Sequence, residues 1–520
     1  MRTHKDVSIV FSRAPAGMTA PVVRVEVHLG GGLPTFALVG LPEAVVRESK
    51  DRVRAAIETA GYEFPQARIT VNLSPADLPK EGGRFDLPIA VGILAAAKHI
   101  RAEALLKREF YGELALDGEL RETPKLLPAL IAGARNGREM VLPHANALEA
   151  RMVSDARVLL AGTLSEVVAA LRCAPASRAP SVSMIANADA QAPADRCIPS
   201  AAAGVHDLAD VRGQYHGKRA LEIAAAGEHG LLFVGPPGAG KTLLAQRLPG
   251  LLPPLTISEA LEVACLESMA GRRPQLQHRR PFRSPQHTSS MAALIGGVAM
   301  RPGELSLAHL GVLFLDEFPE FPRNALEALR EPLESGMVVL SRMKRSLEFP
   351  ARFQLVAAMN PCPCGYAGDP RGRCRCTGEQ VLRYRNRVSG PLIDRIDIHV
   401  ELAALPPEHL MNASAEAGER SATVATRVAA ARARQWQRQG KSNARLSAAE
   451  VATHCRLRRE SRALLSSAIV KLGLSARAYD RVLKLARTCA DLAGVAEIRR
   501  TDMAEAVTLR ALDRPPNATC

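Results

Sequence analysis

Long hydrophobic runs are missing from this sequence of 520 residues. The longest apolar stretch, residues 87–97 ("LPIAVGILAAA"), ends at Lys98 and is too short to span a bilayer. The amino terminus has only a brief apolar stretch before Arg13, so no secretory signal is expected. These absences predict a cytoplasmic protein that makes no membrane contact.

Internal repeats are missing as well, which excludes solenoid architectures. The length exceeds what one core supports, so two or three domains are expected. Lys and Arg outnumber Asp and Glu 68 to 53, a net charge of +15. Such a surface attracts polyanions, because bound phosphates release counterions. An arginine-rich composition raises the pI without any ligand too, so charge alone does not decide.

Three regions and a linker follow one another along the chain. Residues 1–172 combine period-two strands with an amphipathic helix, which is an α+β pattern. Residues 173–204 are rich in Ala, Pro and Ser without a sustained period, which predicts a flexible or semi-extended linker. Strands alternate with helices over 205–405, as in a parallel α/β sheet, and residues 406–520 are almost wholly helical in pattern.

The clearest elements of the first region are two strands and the helix between them. Residues 23–29 and 67–73 alternate apolar with other side chains, as half-buried strands do. A helical stripe of apolar residues begins after Pro42 and stops at Gly61.

A glycine-rich loop lies between an apolar strand and a helix in residues 231–242 ("LLFVGPPGAGKT"). It matches the Walker A pattern, whose backbone N–H groups cradle phosphate oxygens at a helix N-terminus. Lys241 supplies a point charge to the β- and γ-phosphates, and Thr242 offers its hydroxyl to Mg²⁺. ATP and Mg²⁺ are therefore the predicted cofactors. The residues predicted to surround the nucleotide are Gly235, Pro236, Pro237, Gly238, Ala239, Gly240, Lys241 and Thr242.

Two carboxylates end the strand pattern "GVLFLDE" (311–317). Asp316 is predicted to hold the Mg²⁺ shell, and Glu317 to orient and deprotonate the attacking water. This pair predicts hydrolysis rather than binding alone. Asn360 ends the next strand pattern along the chain, where its side chain can hold water against the γ-phosphate.

Two arginines complete the candidate site. Arg395 precedes another strand, at a domain edge from which an arginine can stabilise transition-state charge in a neighbouring subunit. Arg477 starts a helix in the carboxyl-terminal region and could contact the same phosphates within its own chain. Taken singly, each arginine is more often a surface salt-bridge former, so the assignment depends on the ordered set.

That ordered set resembles the AAA+ ATPases. Walker A, Walker B, a sensor asparagine, an arginine finger and a helical lid with a sensor arginine stand in this family's order. AAA+ proteins typically work as hexameric rings, so the resemblance implies a homo-hexamer.

Two further segments add to this framework. Residues 279–311 look like an insertion in the helix after Walker A, because Asp316 follows Lys241 at a long interval. Residues 334–351 indicate a strand, a basic turn and a second strand; a solvated turn is the simple alternative. In a ring, two inserts facing the pore would present cations to a threaded polymer. The candidates for DNA contact at the hairpin tip are Arg342, Lys344 and Arg345.

The paired inserts resemble the magnesium-chelatase and MCM-helicase branch of AAA+. Several motifs narrow this resemblance to the ComM/YifB family, among them "NLSPADLPKEGGRFDLPIA", "FRSPQHTSS", "RPGELSLAHLGVLFLDE" and "NPCPCGY". It covers nearly the whole chain outside residues 174–204. The resemblance implies a hexameric DNA helicase that promotes branch migration during natural transformation. One departure is visible, since Gln286 precedes His287 where the family usually has two histidines.

The first region is similar in fold to the Lon protease domain. Lon needs a serine nucleophile activated by a lysine. The corresponding segment "KEGGRFDLP" contains Gly83 and Arg84 and no hydroxyl, which leaves Lys125 without a serine to activate. The region is therefore predicted to be a non-proteolytic platform for DNA contact or ring organisation.

Four of the ten cysteines lie in a short loop after Asn360, as a C-x-C-x₉-C-x-C array. Clustered thiols in the cytoplasm favour metal over disulfide. Four thiolates fit a closed tetrahedral zinc site, and the loop between the pairs has the glycines and proline needed to turn back. A reduced loop without metal and an iron–sulfur cluster are the alternatives. The candidate ligands are Cys362, Cys364, Cys374 and Cys376.

Other functions compete with a motor that acts on single-stranded or branched DNA. A chelatase-type or MoxR-type ATPase would remodel a protein partner instead, although the basic hairpin tip favours DNA. An ATP-dependent protease is disfavoured by the missing serine. Trp436, the only tryptophan, lies in a basic helical pattern that could touch DNA or pack on the lid.

Overall fold

A computed structural model describes residues 7–40, 46, 48–172, 183–186, 206–297, 299–342, 345–369, 371–404, 418–473 and 475–510. The chain folds into two units. The first comprises Met1–Ile198 with Ala260–Leu276, and the second comprises Pro199–Glu259 with Gln277–Cys520.

The first unit is built on an eight-stranded mixed sheet with the order β10-β9-β8-β5-β1-β2-β4-β3, beside a small β6–β7 ribbon. The strands are β1 (Val7–Arg13), β2 (Val22–Gly30), β3 (Thr35–Val39), β4 (Arg68–Ser74), β5 (Arg108–Phe110), β6 (Glu113–Leu114), β7 (Leu120–Arg121), β8 (Glu139–Pro143), β9 (Arg157–Ala161) and β10 (Ser183–Ala186). The helices are α1 (Ser49–Thr59), α2 (Asp86–Ala96), α3 (Leu127–Arg135), α4 (Ala147–Met152) and α5 (Leu164–Arg172).

The sequence pattern accounts for the core of this sheet. The strand predicted at 23–29 lies within β2, the one predicted at 67–73 overlaps β4 with an offset of one residue, and α1 confirms the helix between them. The apolar run of residues 87–97 is the buried helix α2, which packs on β1 and β2. A Cβ at Gly92 in this helix would lie only 2.7 Å from Cγ2 of Val27, so glycine permits the close packing.

The predicted linker is not entirely without structure. Residues 183–186 form β10, which pairs antiparallel with β9. An outer strand such as β9 exposes backbone groups that a short extended segment can satisfy, whatever the composition around it. The other residues of the predicted linker lie outside the described ones.

The second unit contains a five-stranded, wholly parallel sheet with the order β12-β13-β16-β11-β17. Its strands, with the separate hairpin β14–β15, are β11 (Leu231–Val234), β12 (Phe282–Arg283), β13 (Val312–Leu315), β14 (Met337–Arg342), β15 (Arg345–Pro350), β16 (Gln354–Met359) and β17 (Ile398–Glu401). Every residue of β11, β13 and β16 is buried, as expected for central parallel strands covered on both faces.

The helices that follow in chain order belong to this second unit, with one exception described in the next paragraph. They are α6 (Tyr215–Gly227), α7 (Lys241–Arg247), α8 (Ile257–Met269), α9 (Met291–Ile295), α10 (Glu304–Leu307), α11 (Arg323–Glu327), α12 (Arg330–Ser335), α13 (Gly378–Arg385), α14 (Gly390–Ile393), α15 (Ser421–Gln439), α16 (Ala448–His454), α17 (Arg459–Leu472), α18 (Ala476–Leu492) and α19 (Arg500–Thr508).

Helix α8 is the exception, because residues 260–276 fold with the first unit. Ala264 and Cys265 join a core cluster with Leu130 and Met140. The Ser268 hydroxyl donates to Glu149 at 3.3 Å. Burial raises the pKa of Glu149 to about 7. Nothing in the hydrophobic pattern of α8 distinguishes it from a helix of the second unit.

The structure corrects the predicted position of the first insert. Helix α7, directly after Walker A, is not interrupted, and residues 279–311 themselves contain strand β12. The insert therefore lies between β12 and β13. Its ends are fastened by the Arg283 guanidinium, which donates to both carboxylate oxygens of Glu304 at 2.6 and 2.7 Å.

The hairpin predicted within residues 334–351 is confirmed as the antiparallel pair β14–β15. It contacts the insert, because a Cβ at Gly296 would lie 2.7 Å from Cδ1 of Leu340. Arg342 is exposed and pairs in register with Arg345 across the tip. Lys344 lies outside the described residues.

The carboxyl-terminal helices pack on α6 and on the amino ends of the strands. Arg432 donates to the Ala225 carbonyl at 2.9 Å, and Arg481 forms an ion pair with Asp397 just before β17. Burial alone would raise the pKa of Asp397, yet Arg481 and His229 hold it well below its usual range. A lid position over the nucleotide stays a prediction. None of the described helices combines the length and apolar character that a membrane span requires.

Candidate nucleotide site

The glycine-rich loop leaves the carboxyl end of β11, at the centre of the parallel sheet. Gly238 and Gly240 have φ angles of +76° and +86°, which favour glycine. A Cβ at Gly235 would lie 2.6 Å from the Leu402 carbonyl oxygen, so this position also needs glycine. The loop ends at Gly240, and α7 begins at Lys241. Backbone N–H groups at this helix start can donate hydrogen bonds to phosphate oxygens.

Lys241 is buried between the loop and the neighbouring strand β16. Its Nζ donates to the carbonyls of Gly235 (2.6 Å) and Pro236 (3.0 Å) and to Oδ1 of Asn360 (3.0 Å). Burial lowers the pKa of Lys241, and the Asp316 charge opposes this. The Lys241 ammonium therefore lies inside the loop, where phosphate oxygens can take over its hydrogen bonds from the Gly235 and Pro236 carbonyl oxygens.

Thr242 and Asp316 meet beyond the carboxyl ends of β11 and β13. The Thr242 hydroxyl donates to Oδ2 of Asp316 at 2.6 Å, and the Glu317 N–H donates to Oδ1 at 2.9 Å. A hydroxyl and a carboxylate in direct contact form the oxygen set that Mg²⁺ prefers alongside phosphate. The residues fit the predicted magnesium site.

Glu317 projects from a backbone in the left-handed region, with φ +52°. Its carboxylate is exposed, so water can reach it, and Oε2 lies 3.0 Å from Nδ1 of His287. His287 belongs to the insert, and it is the histidine that follows the motif departure at Gln286. The distance between the two residues along the chain concealed their contact.

The two arginines lie away from this cluster. Arg395 forms an ion pair with Glu334, and its buried Nε has no hydrogen-bond partner among the described residues. Arg477 is exposed in the first turn of α18, one turn before Arg481. Among the described residues, neither forms a hydrogen bond or an ion pair with the loop, Asp316 or Glu317. The trans role of Arg395 and the cis role of Arg477 stay predictions.

The four clustered cysteines converge. All four sulfurs lie within 4.8 Å of one another. Cys374 Sγ is 3.8 Å from Cys362 Sγ and 3.7 Å from Cys364 Sγ, whereas Cys362 and Cys364 are 3.3 Å apart. Zn–S bonds of 2.3 Å in a tetrahedron place sulfurs about 3.8 Å apart, and a disulfide would be far shorter. Backbone N–H groups of Arg375 and Tyr366 lower the pKa of Cys364 to about 6.

In the first unit, the residues compared above with the Lon serine and lysine have other contacts. Lys125 pairs with Glu81 at 3.4 Å. Arg84 is buried and donates to the Pro124 carbonyl, and burial lowers its pKa to about 10. A Cβ at Gly83 would lie 2.4 Å from Cγ of Glu113, so a serine there would have to displace that side chain.

A phosphate loop, a magnesium-type oxygen pair and an exposed carboxylate on a parallel α/β sheet define a magnesium-chelatase, AAA+-like domain. Three family models match the chain. The model described as magnesium chelatase, subunit ChlI, matches residues 207–410. A second, described as subunit ChlI of Mg-chelatase, matches residues 25–146, and a third, for the ChlI carboxyl-terminal part, matches residues 418–510. The chain belongs to the ComM/YifB family of magnesium-chelatase-like proteins.

Three relatives illustrate this membership. The chain is 48% identical over 511 residues to competence protein ComM of Haemophilus influenzae, which covers 98% of each chain. It is 49% identical over 511 residues to uncharacterized protein YifB of Salmonella typhimurium, covering 98% of this chain and 97% of that one. An uncharacterized protein of Mycobacterium tuberculosis is 42% identical over 510 residues, covering 96% and 98%. Membership of the family suggests an ATPase.

Proposed function

We propose that this chain is a ring-forming ATPase that moves DNA and promotes branch migration when incoming single strands recombine. The supporting observation is that Lys241, Asp316 and Glu317 lie together at the carboxyl end of the parallel sheet. His287 of the insert contacts Glu317 there. Hydrolysis at this site can therefore be linked to movement of the insert.

Each residue of this nucleotide site has a chemical role in the proposal. Lys241 and the loop N–H groups bind and orient the phosphates, and Thr242 and Asp316 hold Mg²⁺, which neutralises phosphate charge when bound. Glu317 accepts the proton of the attacking water. Asn360 shares its side-chain oxygen with Lys241, and its amide nitrogen can position that water.

DNA is the polymer that we propose for the inserts. The insert and hairpin pack against each other at Gly296 and Leu340, and Arg342 is exposed at the end of β14. A polyanion bound there can displace the insert and so act on Glu317. The name of the Haemophilus relative, a competence protein, supports uptake-related DNA as the substrate.

Remodelling of a protein partner is the second candidate, because the matching family models are named for a chelatase subunit. ATP turnover measured with forked, three-strand and four-way DNA separates the two. DNA should raise the rate, and strand displacement should accompany it. If none of these structures changes turnover, the DNA motor proposal fails.

Exchange of subunits tests the proposed trans arginine. Arg395→Ala should lack a finger and Lys241→Ala a nucleotide site, so each alone should be inactive. Random mixed rings should regain about a quarter of wild-type turnover, because some intact sites then face intact fingers. Mixtures that stay inactive would contradict a trans role. Arg383→Ala, at an exposed surface pair with Glu379, is the matched control and should stay active.

Loss of His287 should release Glu317. The exposed pair occupies one carboxylate oxygen, and such pairs are worth up to ~1 kcal/mol, so His287→Ala should raise turnover without DNA by up to about fivefold. Stimulation by DNA should shrink accordingly. Gln286→Ala, in the adjacent residue, should behave as wild type. An unchanged or lower basal rate in His287→Ala would remove the inferred restraint.

For the four cysteines we propose a structural Zn²⁺ site. The four clustered sulfurs would supply all four ligands of a tetrahedral ion, so such a site would be closed and leave no place for substrate.

A further inference from the structure

The cysteine loop begins directly behind the predicted nucleotide site. Asn360 contacts Lys241, and the first cysteine follows it by two residues. Gly365 closes the first turn, with its N–H donating to the Cys362 carbonyl at 3.0 Å. A Cβ at Gly365 would lie 2.6 Å from Cδ of Pro237. The turn that carries the first cysteine pair therefore packs directly against the phosphate loop.

The second cysteine pair leads into a support on the other side of Asn360. Helix α13 begins two residues after Cys376. Arg385 in this helix donates from Nε to the Pro361 carbonyl at 3.4 Å. Burial raises the pKa of Tyr384, and the neighbouring Asn360 backbone opposes this rise. Asn360 is thus held between two segments, each attached to one cysteine pair.

We propose that a soft divalent cation of the zinc class, bound by the four thiolates, joins these two segments and thereby sets the affinity of the phosphate loop for nucleotide. The inference rests on the proposed nucleotide site. We call the metal with the two segments that it joins the brace. With the metal bound, the turn at Gly365 and helix α13 are tied together, and Asn360 and Pro237 keep their positions. Without it, the loop between the pairs regains conformational freedom, and the contact with Pro237 loosens.

Metal exchange gives the first test. The purified full-length chain should contain about one zinc per chain by elemental analysis, as a four-thiolate site requires. Removal of zinc by a mercurial reagent and a chelator, followed by reduction, should weaken binding of a fluorescent ATP analogue about tenfold, the size expected if binding must then order one further loop residue. Added zinc should restore it. Absence of zinc in the reduced protein, or unchanged affinity after its removal, would overturn the proposal.

A pair of glycine variants tests the route through Pro237. Gly365 and Gly368 have similar φ angles, +85° and +79°, but an added Cβ meets Pro237 only at Gly365 and nothing within 4 Å at Gly368. Gly365→Ala should keep its zinc and bind nucleotide several-fold more weakly than Gly368→Ala. Equal affinities of the two variants would exclude this contact as the coupling route.

Cys374→Ser completes the series and should lose both zinc and nucleotide affinity. If this variant does not fold, the glycine pair still decides, because neither change touches a thiol. Lys241→Ala distinguishes the two levels of the proposal. If it binds nucleotide as well as wild type, the proposed site itself is wrong, whereas failure of the brace leaves wild-type binding intact.

Discussion

Glu317→Gln is expected to bind ATP normally and to lose turnover by about two to four orders of magnitude, the contribution of a positioned general base. The amide keeps the shape of the side chain and its place beside His287, but it cannot accept the proton of water. Binding of a fluorescent nucleotide and release of phosphate, measured on the same preparation, separate the two effects.

Glu320→Gln is the matched control for this change. Glu320 lies one turn further along, is exposed, and forms a surface pair with Arg387 at 2.6 Å. Its loss should leave turnover near the wild-type rate. Substantial hydrolysis by Glu317→Gln, at more than a tenth of the wild-type rate, would assign the base to another residue and remove the central chemical role proposed here.

Lys241→Ala is expected to weaken nucleotide binding by at least about a hundredfold, because two charge-assisted hydrogen bonds to phosphate are worth roughly 3 kcal/mol or more together. The loss also leaves the Gly235 and Pro236 carbonyls without their buried donor. Equilibrium titration with a fluorescent ATP analogue measures the effect, and a thermal melt without nucleotide separates it from unfolding.

Lys471→Ala, at an exposed position in α17, controls for the general loss of positive charge. Its nucleotide affinity should match that of wild type. Retained binding in Lys241→Ala would place the phosphates elsewhere, and the functional proposal would then fail at its first step.

Local pattern predicted those features that depend on neighbouring residues. The alternation of β2 and β4, the buried strands β11, β13 and β16, and the hairpin β14–β15 were all expected from short stretches of sequence. The phosphate loop is recognisable because its glycines and Lys241 lie within seven consecutive residues, 235–241. Burial of a period-two strand or of a continuous apolar run depends mainly on the strand's own composition.

Contacts between distant residues were not predictable in this way. The two-residue strand β12 is too short to carry a period, and so the insert was placed in the wrong connection. The strand in the predicted linker exists because β9, next to the end of the sheet, offers its backbone groups for pairing with β10. The fit of residues 260–276 into the first unit depends on a complementary surface elsewhere in the chain.

The sequence by itself determined the chemistry available to this protein: a phosphate loop, a carboxylate pair, an asparagine and four clustered thiols, each in a recognisable local context. Only the tertiary structure decided which of these groups touch. It brought Asn360 to Lys241, His287 to Glu317, and Gly365 to Pro237. The reason is physical, since the order of strands in a sheet is set by packing across the whole domain, and each strand's sequence specifies its burial but not its neighbour.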